Sequence, residues 1–162
     1  MKILKLVALV LAVAFVGIQF IRPERKSAEP AGDKDIIAAF HPPDDISQML
    51  RASCYDCHSD ATVYPWYAEV QPVGWWLSDH IKSAHAELNF SEFGGYKPRR
   101  QLRKFIEISE QVELEEMPLP SYTIIHRDAE LSPEQRERLM TWANTMKDSL
   151  DELYPPDTSR RK

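Results

Sequence analysis

The hexapeptide CYDCHS, residues 54–59, contains both cysteines of the chain. Two thiols three residues apart, followed directly by His58, have the spacing of three kinds of site: a zinc site, a redox-active dithiol and a covalent haem attachment site. Each use requires the two sulfur atoms to lie on the same side of a short element. The first question is therefore which element carries them.

Helical spacing favours haem attachment. On a helix, Cys54, Cys57 and His58 occupy positions i, i+3 and i+4, so their side chains are neighbours on one face. Each thiol can then bond a vinyl carbon at the edge of one porphyrin, while the imidazole lies over the iron as proximal ligand. C-x-x-C-H is the attachment signature of c-type haem. We expect one covalently attached haem c, held by Cys54 and Cys57, with His58 on the iron.

Three other uses of the cysteines stay open. Structural zinc takes four protein ligands, and without a second C-x-x-C it would need distant histidines. The remaining histidines are His41, His80, His85 and His126. A redox dithiol is expected in a βαβ context, which the sequence does not suggest, and a disulfide across one helical turn would be strained.

Met117 is the predicted distal ligand of the iron. It lies in the segment EEMPLPSY, where two prolines restrict the backbone and lower the entropy cost of ordering a loop. Methionine opposite histidine is the ligand pair of cytochromes c. His80 is the alternative ligand, or else a histidine packed in the haem pocket. We also expect Trp66 and Trp76 to line that pocket, where aromatic rings exclude water.

The surrounding sequence predicts an all-α domain, with four main helices and two long loops. The helices are expected to start within residues 42–45, at Val73, at Pro98 and after Ser132, and the loops to cover residues 59–72 and 115–131. The first helix should run through both cysteines. Ser132-Pro133-Glu134-Gln135 is a capping box with proline at the first helical position. His85 is expected to face solvent.

The N-terminus predicts a hydrophobic helix over residues 1–21. Lys2 and Lys5 precede LVALVLAVAFVGIQFI, in which Gln19 is the only strongly polar residue. The run approaches the ~20 residues that a membrane-spanning helix needs, and IRPERK after it lacks a small-residue cleavage site. We predict an uncleaved anchor, with a cleaved signal peptide as the alternative.

The chain is then divided into a polar linker over residues 22–35, a haem-binding domain over residues 36–153 and a disordered tail over residues 154–162. The linker would lift the domain off the membrane. The signal-like start favours an inner-membrane anchor with the domain facing the periplasm. If the helix is cleaved, the domain would be exported to the periplasm.

Composition is ordinary for a globular domain, with 43% hydrophobic and 28% charged residues. The length of 162 residues fits one compact domain plus an end segment. A net charge of -5 argues against a nucleic-acid-binding protein, which usually has a basic surface.

Several stretches together resemble the bacterial haem-binding domain family. They are HPP at His41, SCYDCHSDATVYPWYAEVQPVGWWLSDHI from Ser53, LNFSEF from Leu88, EEMPLPSYTIIH from Glu115 and LSPEQRERLMTWAN from Leu131. The resemblance covers about residues 40–146. It implies a small helical, cytochrome-c-like domain around one haem, and it supports the roles of Cys54, Cys57 and His58. The segment at Met117 resembles the sixth-ligand loop of cytochromes c.

These observations predict a membrane-anchored mono-haem c-type cytochrome that passes electrons between redox partner proteins of the cell envelope and is not itself an enzyme. One alternative is a peroxidase-like haem enzyme or a haem-based sensor, which would need an open sixth coordination position. Another is a zinc-binding interaction module, which would hold no haem.

Overall fold

All the regular elements that the structure describes are helical, as the sequence predicts. The structure is a computed structural model that describes residues 1–25 and 31–155. The α-helices are α1 (Lys2–Ile18), α2 (Ile36–Phe40), α3 (Asp44–Ser53), α4 (Tyr55–His58), α5 (Val73–Glu87), α6 (Pro98–Glu113), α7 (Pro120–Thr123) and α8 (Pro133–Leu153). Short 3₁₀ segments lie at Trp66–Glu69, Phe90–Gly95 and Arg127–Ala129. The predicted tail lies outside the described residues except at its first two positions.

The predicted helices correspond to α3, α5, α6 and α8. The capping box is present: the Ser132 hydroxyl accepts a hydrogen bond from the Gln135 amide at 3.2 Å, and the Gln135 side chain accepts one from the Ser132 amide at 2.8 Å. Proline at the first turn starts both α6 and α8. The short helices α2, α4 and α7 were not predicted, because four or five residues are too few to show a helical period.

An antiparallel pair, α6 and α8, forms the centre of the core. Arg99 near the start of α6 contacts Asp151 near the end of α8 at 3.3 Å, and Arg136 at the start of α8 contacts Glu115 after the end of α6. Phe105 packs edge-on against Trp142, with ring centroids 5.5 Å apart. Residues of α2, α3 and the Phe90–Gly95 segment complete the same buried cluster, which includes Ile36, Ile46, Leu50, Phe90, Phe93, Val112, Leu139 and Leu150.

The helix predicted to run through both cysteines is broken at Cys54, where φ is -128° and ψ is -37°. The break turns the ring of Tyr55 into the core against Phe90, and its hydroxyl donates a hydrogen bond to Asp35 at 2.7 Å. The predicted spacing survives nonetheless. The amides of Cys57 and His58 still donate to the Cys54 carbonyl, at 3.2 and 2.9 Å. A single turn therefore keeps the three side chains together.

Gly74 lies where the first turn of α5 crosses the backbone of the Trp66–Glu69 segment. A Cβ at this position would lie 2.3 Å from the Ala68 carbonyl oxygen and 2.8 Å from the Gln71 side-chain amide. Because a backbone carbonyl cannot move aside as a flexible side chain can, we expect Gly74→Ala to lower the free energy of unfolding by about 1–3 kcal/mol, the usual cost of overpacking. The loss should exceed the gain of up to about 1 kcal/mol in helix propensity.

Denaturant unfolding of the Gly74→Ala variant measures this effect. Gly32→Ala is the matched control, since an added Cβ there would have no neighbour within 4 Å. A midpoint for Gly74→Ala equal to that of the control would show that the α5 crossing is not as tight as the structure has it.

The first helix, α1, contributes no buried residue to the core. It has 17 residues, which corresponds to about 26 Å at the usual helical rise. Among residues 1–25 and 31–155, no helix combines the length and apolarity needed to cross a bilayer. The prediction of a membrane-spanning helix is therefore not supported by the structure. Directly after α1, the Gln19 side chain makes hydrogen bonds to the Gln71 backbone.

Candidate functional site

The cysteine turn, α5, α6 and the segment after α6 surround one cavity of about 460 Å³. This volume lies within the usual range for small-molecule and cofactor pockets, about 300–1,000 Å³. Apolar side chains dominate its lining and include Leu50, Phe90, Ile108, Val112, Pro118, Leu119 and Leu139. Sulfur and imidazole groups that could bond a metal or cofactor also line the cavity, at Cys54, Cys57, His58, His80 and Met117. Residues from four separate parts of the sequence thus meet at one place.

Both cysteines are free thiols and half-buried. Burial, and secondarily the neighbouring Cys57, raises the pKa of Cys54 to about 12. Burial, and secondarily the Asp56 carboxylate, raises the pKa of Cys57 to about 11. A redox-active dithiol instead needs a thiol with a lowered pKa, since the thiolate is the nucleophile. The environment therefore disfavours the redox-dithiol alternative.

His58 is held as a neutral imidazole with one nitrogen free. Its Nδ1 lies 3.0 Å from the Leu88 carbonyl oxygen. Because that oxygen can only accept, Nδ1 carries the proton and donates it, which leaves the lone pair of Nε2 unused. Burial lowers the pKa of His58, so the ring is uncharged at neutral pH. Neutral imidazole with its second nitrogen fixed by a carbonyl is the usual state of a histidine metal ligand.

The segment that carries Met117 is turned sharply at the end of α6. Glu115 adopts a left-handed backbone conformation with φ of 57°, and the amides of Glu116 and Met117 both donate to the Gln111 carbonyl, at 3.0 and 3.1 Å. The last carbonyl groups of a helix have no partner within it, and these two bonds supply partners for one of them. They also fix the backbone of Met117 beside the cavity that its side chain lines.

A hydrogen bond joins the Met117 segment to the cysteine turn. The Tyr122 hydroxyl, on α7, donates to the carboxylate of Asp56 at 2.6 Å, and Asp56 lies between the two cysteines. The Tyr122 ring stacks on His126 with centroids 4.2 Å apart, and the Tyr67 hydroxyl lies 3.0 Å from Nε2 of His126. The two walls of the cavity are thereby tied together near the thiols.

Comparison with known protein families identifies the family of the chain that forms this cavity. Residues 13–145 match the family described as the haem-binding domain. The chain belongs to the haem-binding domain family. Searches among curated proteins and among solved structures found no match. The family match begins within α1, well before the residues that suggest the family from sequence inspection.

The cavity of this haem-binding domain suits a haem. Its apolar lining fits the porphyrin faces, the free Nε2 of His58 and the thioether of Met117 are both iron ligands of known haem proteins, and two thiols lie together on one side. His58, Met117 and both cysteines, predicted from sequence, all line this cavity. Haem could therefore be held by residues from α4 and from the segment after α6.

Tyr122, Asp56 and His126 were not predicted as site residues. Nothing in their local sequence distinguishes them, since the pairs they form join positions far apart in the chain. The stacking of His126 on Tyr122 depends on how residues 115–131 fold back.

Replacing Tyr122 with phenylalanine should loosen the Met117 segment of the haem-binding domain. The change removes a hydrogen bond to a charged group, which typically contributes about 1.5–3 kcal/mol, and leaves the stacking surface in place. We expect amide hydrogen exchange within residues 115–126 to accelerate by roughly tenfold or more, since each 1.4 kcal/mol is a factor of ten.

Tyr96→Phe is the control for that measurement. The Tyr96 hydroxyl also makes backbone hydrogen bonds, to Asn89 at 3.0 and 3.3 Å, but lies in another part of the domain. Equal exchange rates in the two variants would mean that the Tyr122–Asp56 bond does not hold the segment.

The two tryptophans predicted to line the pocket lie elsewhere. Trp66 is 78% exposed and Trp76 is 47% exposed, and neither contributes to the cavity wall. The Trp66–Glu69 segment instead buries Ala68 against Leu77. His80 does line the cavity, and its ring contacts Trp76 in a tilted arrangement, with centroids 4.2 Å apart and 40° between the ring planes.

Lys104 is a cavity residue that sequence inspection missed. It is buried on α6, and its ammonium group binds Glu107 and lies 3.6 Å from Glu87. All three residues line the cavity. The inward face of α6 was predicted from a stripe of apolar residues, and such a pattern leaves out charged residues. Because two carboxylates face the ammonium group of Lys104, these three side chains present no net positive charge to the cavity.

Contrary to the prediction, His85 does not face solvent. Its Nε2 donates a hydrogen bond to the Ser59 carbonyl at 2.9 Å, and its Nδ1 lies 3.7 Å from Asp60. The reason is the position of the cysteine turn, which brings Ser59 and Asp60 against α5. His85 thereby supports the chain immediately after His58.

The zinc alternative finds no support in the part of the chain that the structure describes. Within residues 1–25 and 31–155, no three His, Cys, Asp or Glu side chains are grouped closely enough to hold a metal ion. A zinc site would need about four such ligands.

Proposed function

We propose that this haem-binding domain is a mono-haem c-type cytochrome that carries electrons. One observation supports the proposal above the rest: the two thiols, the free nitrogen of His58 and the thioether of Met117 line the same apolar cavity. When bound, the haem iron supplies a one-electron ferric–ferrous couple. The contribution of the chain is to hold the haem, fill its axial positions and exclude water.

Each proposed role follows from a local contact. Cys54 and Cys57 would hold the haem through thioether bonds, each formed when a thiol adds across a vinyl group. His58 is oriented by the Leu88 carbonyl, so its Nε2 is the proximal ligand. Met117 is the distal ligand, on a backbone fixed by the Gln111 carbonyl.

Two protein ligands on the iron favour a carrier over an enzyme or a sensor. A peroxidase-like protein or a gas sensor needs one open axial position, which Met117 would fill. Methionine opposite histidine raises the reduction potential. The apolar walls of the cavity should also raise the reduction potential, because burial in a low dielectric disfavours the more highly charged ferric state.

We further propose that α1 attaches the domain to the inner membrane, with the domain on the periplasmic side and redox proteins of the cell envelope as partners. The support is the apolar sequence of residues 6–21, in which Gln19 is the only strongly polar residue, with lysines before it and arginines after it. No part of α1 is needed to complete the buried core.

Covalent attachment is tested by a haem stain after denaturing electrophoresis. We expect the full-length protein, produced with a c-type maturation system, to keep its stain, and the Cys54→Ser/Cys57→Ser variant to lose it entirely. Single variants should retain haem with an altered spectrum, since one thioether bond remains. His85→Ala serves as the control, because it changes a residue near the turn that has no proposed bond to haem. A colourless wild-type protein would reject the proposed function.

A further inference from the structure

Residues 19–21, at the end of α1, are hydrogen-bonded to the domain. The Gln19 side chain donates to the Gln71 carbonyl at 3.1 Å and accepts from the Gln71 amide at 2.8 Å. The indole Nε1 of Trp75 donates to the Ile21 carbonyl at 2.7 Å. These bonds attach the chain directly after α1 to the start of α5.

Two arginines extend this attachment into the predicted linker. Arg22 and Arg25 both contact the carboxylate of Glu69. Arg25 also donates to the Ala68 carbonyl and lies over the Tyr64 ring, 4.8 Å from its centroid. The segment of residues 19–25, which we call the docking segment, is therefore packed on the domain and cannot act as a free spacer over its described length.

From Leu6 onward, the helix that precedes the docking segment is apolar on all sides. Its side chains from Leu4 to Val16 are exposed throughout. A helix that is hydrophobic all round belongs in a protein core or in lipid, whereas one that binds a partner helix shows an apolar stripe. The described domain offers α1 no core. Lipid is therefore the environment that this surface fits best.

The family match gives an independent reason to treat this region as one unit. It begins at residue 13, so the second half of α1 and the whole docking segment belong to the matched region. A signal peptide cleaved at Gln19 or later in the docking segment would remove Gln19, and with it both bonds to the Gln71 backbone.

We propose that α1 is retained and embedded in lipid, and that the docking segment holds the domain directly on the bilayer surface. The exposed side chains of Val70, Val73 and Trp76 flank the docking contacts at Gln71 and Trp75, and they are the residues that meet the lipid. The proposal rests on the membrane attachment given under the proposed function, and not on the haem ligands.

The test uses the full-length holoprotein in vesicles of phosphatidylcholine and phosphatidylglycerol in equal parts. Trypsin can cut after Arg25 or Lys26, whereas Pro23 blocks cutting after Arg22, and cutting at either site releases the domain from the vesicles. Docking should protect the Arg25 site, because a protease acts on the transiently opened segment, and the masses of the released fragments separate cutting after Arg25 from cutting after Lys26. Intact mass measured on the membrane fraction first establishes whether α1 is still present.

The decisive variant is Glu69→Gln combined with Trp75→Phe, which removes contacts to Arg22, Arg25 and Ile21. We expect trypsin to cut after Arg25 in this variant roughly tenfold faster than in the wild type. Glu130→Gln is the matched control, since Glu130 is also an exposed glutamate paired with an arginine, Arg127 at 3.6 Å. Hydroxyl-radical oxidation of Trp76 should rise in the double variant and stay low in the control.

A second variant tests the lipid contact without disturbing the docking bonds. Val73→Glu places a charge at the proposed lipid surface, and Trp76 oxidation should rise severalfold while the haem spectrum stays unchanged. A mass that lacks the residues before Gln19, or equal rates of cutting after Arg25 in wild type and double variant, would overturn the proposal.

The outcomes separate this inference from the proposed function. Protein that does not sediment with vesicles would reject membrane attachment itself. Protein that sediments but is cut as fast as the double variant would reject only the docking. The haem stain, taken on the same samples, reports on the haem site independently of both.

Discussion

Replacing Met117 with alanine is expected to leave haem covalently attached but to convert its iron from low spin to high spin. The two thioether bonds and His58 do not depend on this side chain, whereas the distal position would lose its ligand. Added imidazole should then bind without competing against a thioether. We expect its affinity to rise by roughly tenfold or more, equivalent to at least 1.4 kcal/mol.

Absorption spectroscopy of the ferric and ferrous protein, with imidazole and carbon monoxide titrations, measures this change. Met146→Ala is the matched control, because Met146 is a partly buried methionine that packs against the main core. The control should keep the low-spin spectrum. If Met117→Ala kept it too, the distal ligand would be another residue, and His80 is the candidate because it lines the same cavity.

A wild-type protein with high-spin iron would change the functional conclusion. Carbon monoxide that binds the ferrous wild type readily, with no ligand to displace, would indicate an open position. The peroxidase-like enzyme or the gas sensor would then be preferred over the electron carrier.

Replacing His58 with alanine is expected to have a still larger effect on the amount of correctly assembled holoprotein. The variant loses the proximal ligand and the bond to the Leu88 carbonyl that orients it. Loss of even a supporting partner costs metal sites about 10–100-fold in affinity or activity. We therefore expect the yield of normal low-spin protein to fall at least that far.

Haem stain normalised to protein, together with the spectrum of the remaining holoprotein, measures the loss. His80→Ala is the control, since it removes a second imidazole from the same cavity wall. An unaltered spectrum and yield in His58→Ala would show that the proximal assignment is wrong. A loss in His80→Ala alone would transfer the assignment to that residue.

Several features of the domain were predictable because they depend on short-range interactions. A capping box needs residues three positions apart, so Ser132 and Gln135 identified the start of α8 before any tertiary contact was known. The spacing of Cys54, Cys57 and His58 is likewise local, and one helical turn preserves it even though the longer helix breaks. The chemistry of these side chains fixed which cofactor to consider.

Other features depended on burial and could not be predicted from spacing. The helix breaks at Cys54, where Tyr55 turns towards Asp35 and Phe90. Both of these partners are distant from Tyr55 in the sequence, so local spacing does not reveal the break. Trp66 and Trp76 are aromatic and close to the motif in sequence, yet the small side chain of Ala68 takes the buried position beside α5.

The sequence alone determined the helical class, the likeness to haem-binding domains and the groups with the chemistry to bind haem, since residue type and local spacing carry that information. Only the tertiary structure decided that Met117 and His58 share a cavity, that Tyr122 ties their two segments together through Asp56, and that residues 19–25 pack on the domain. Each of these contacts joins residues far apart in the chain. Such pairings form only when the packing of the whole domain determines which surfaces meet.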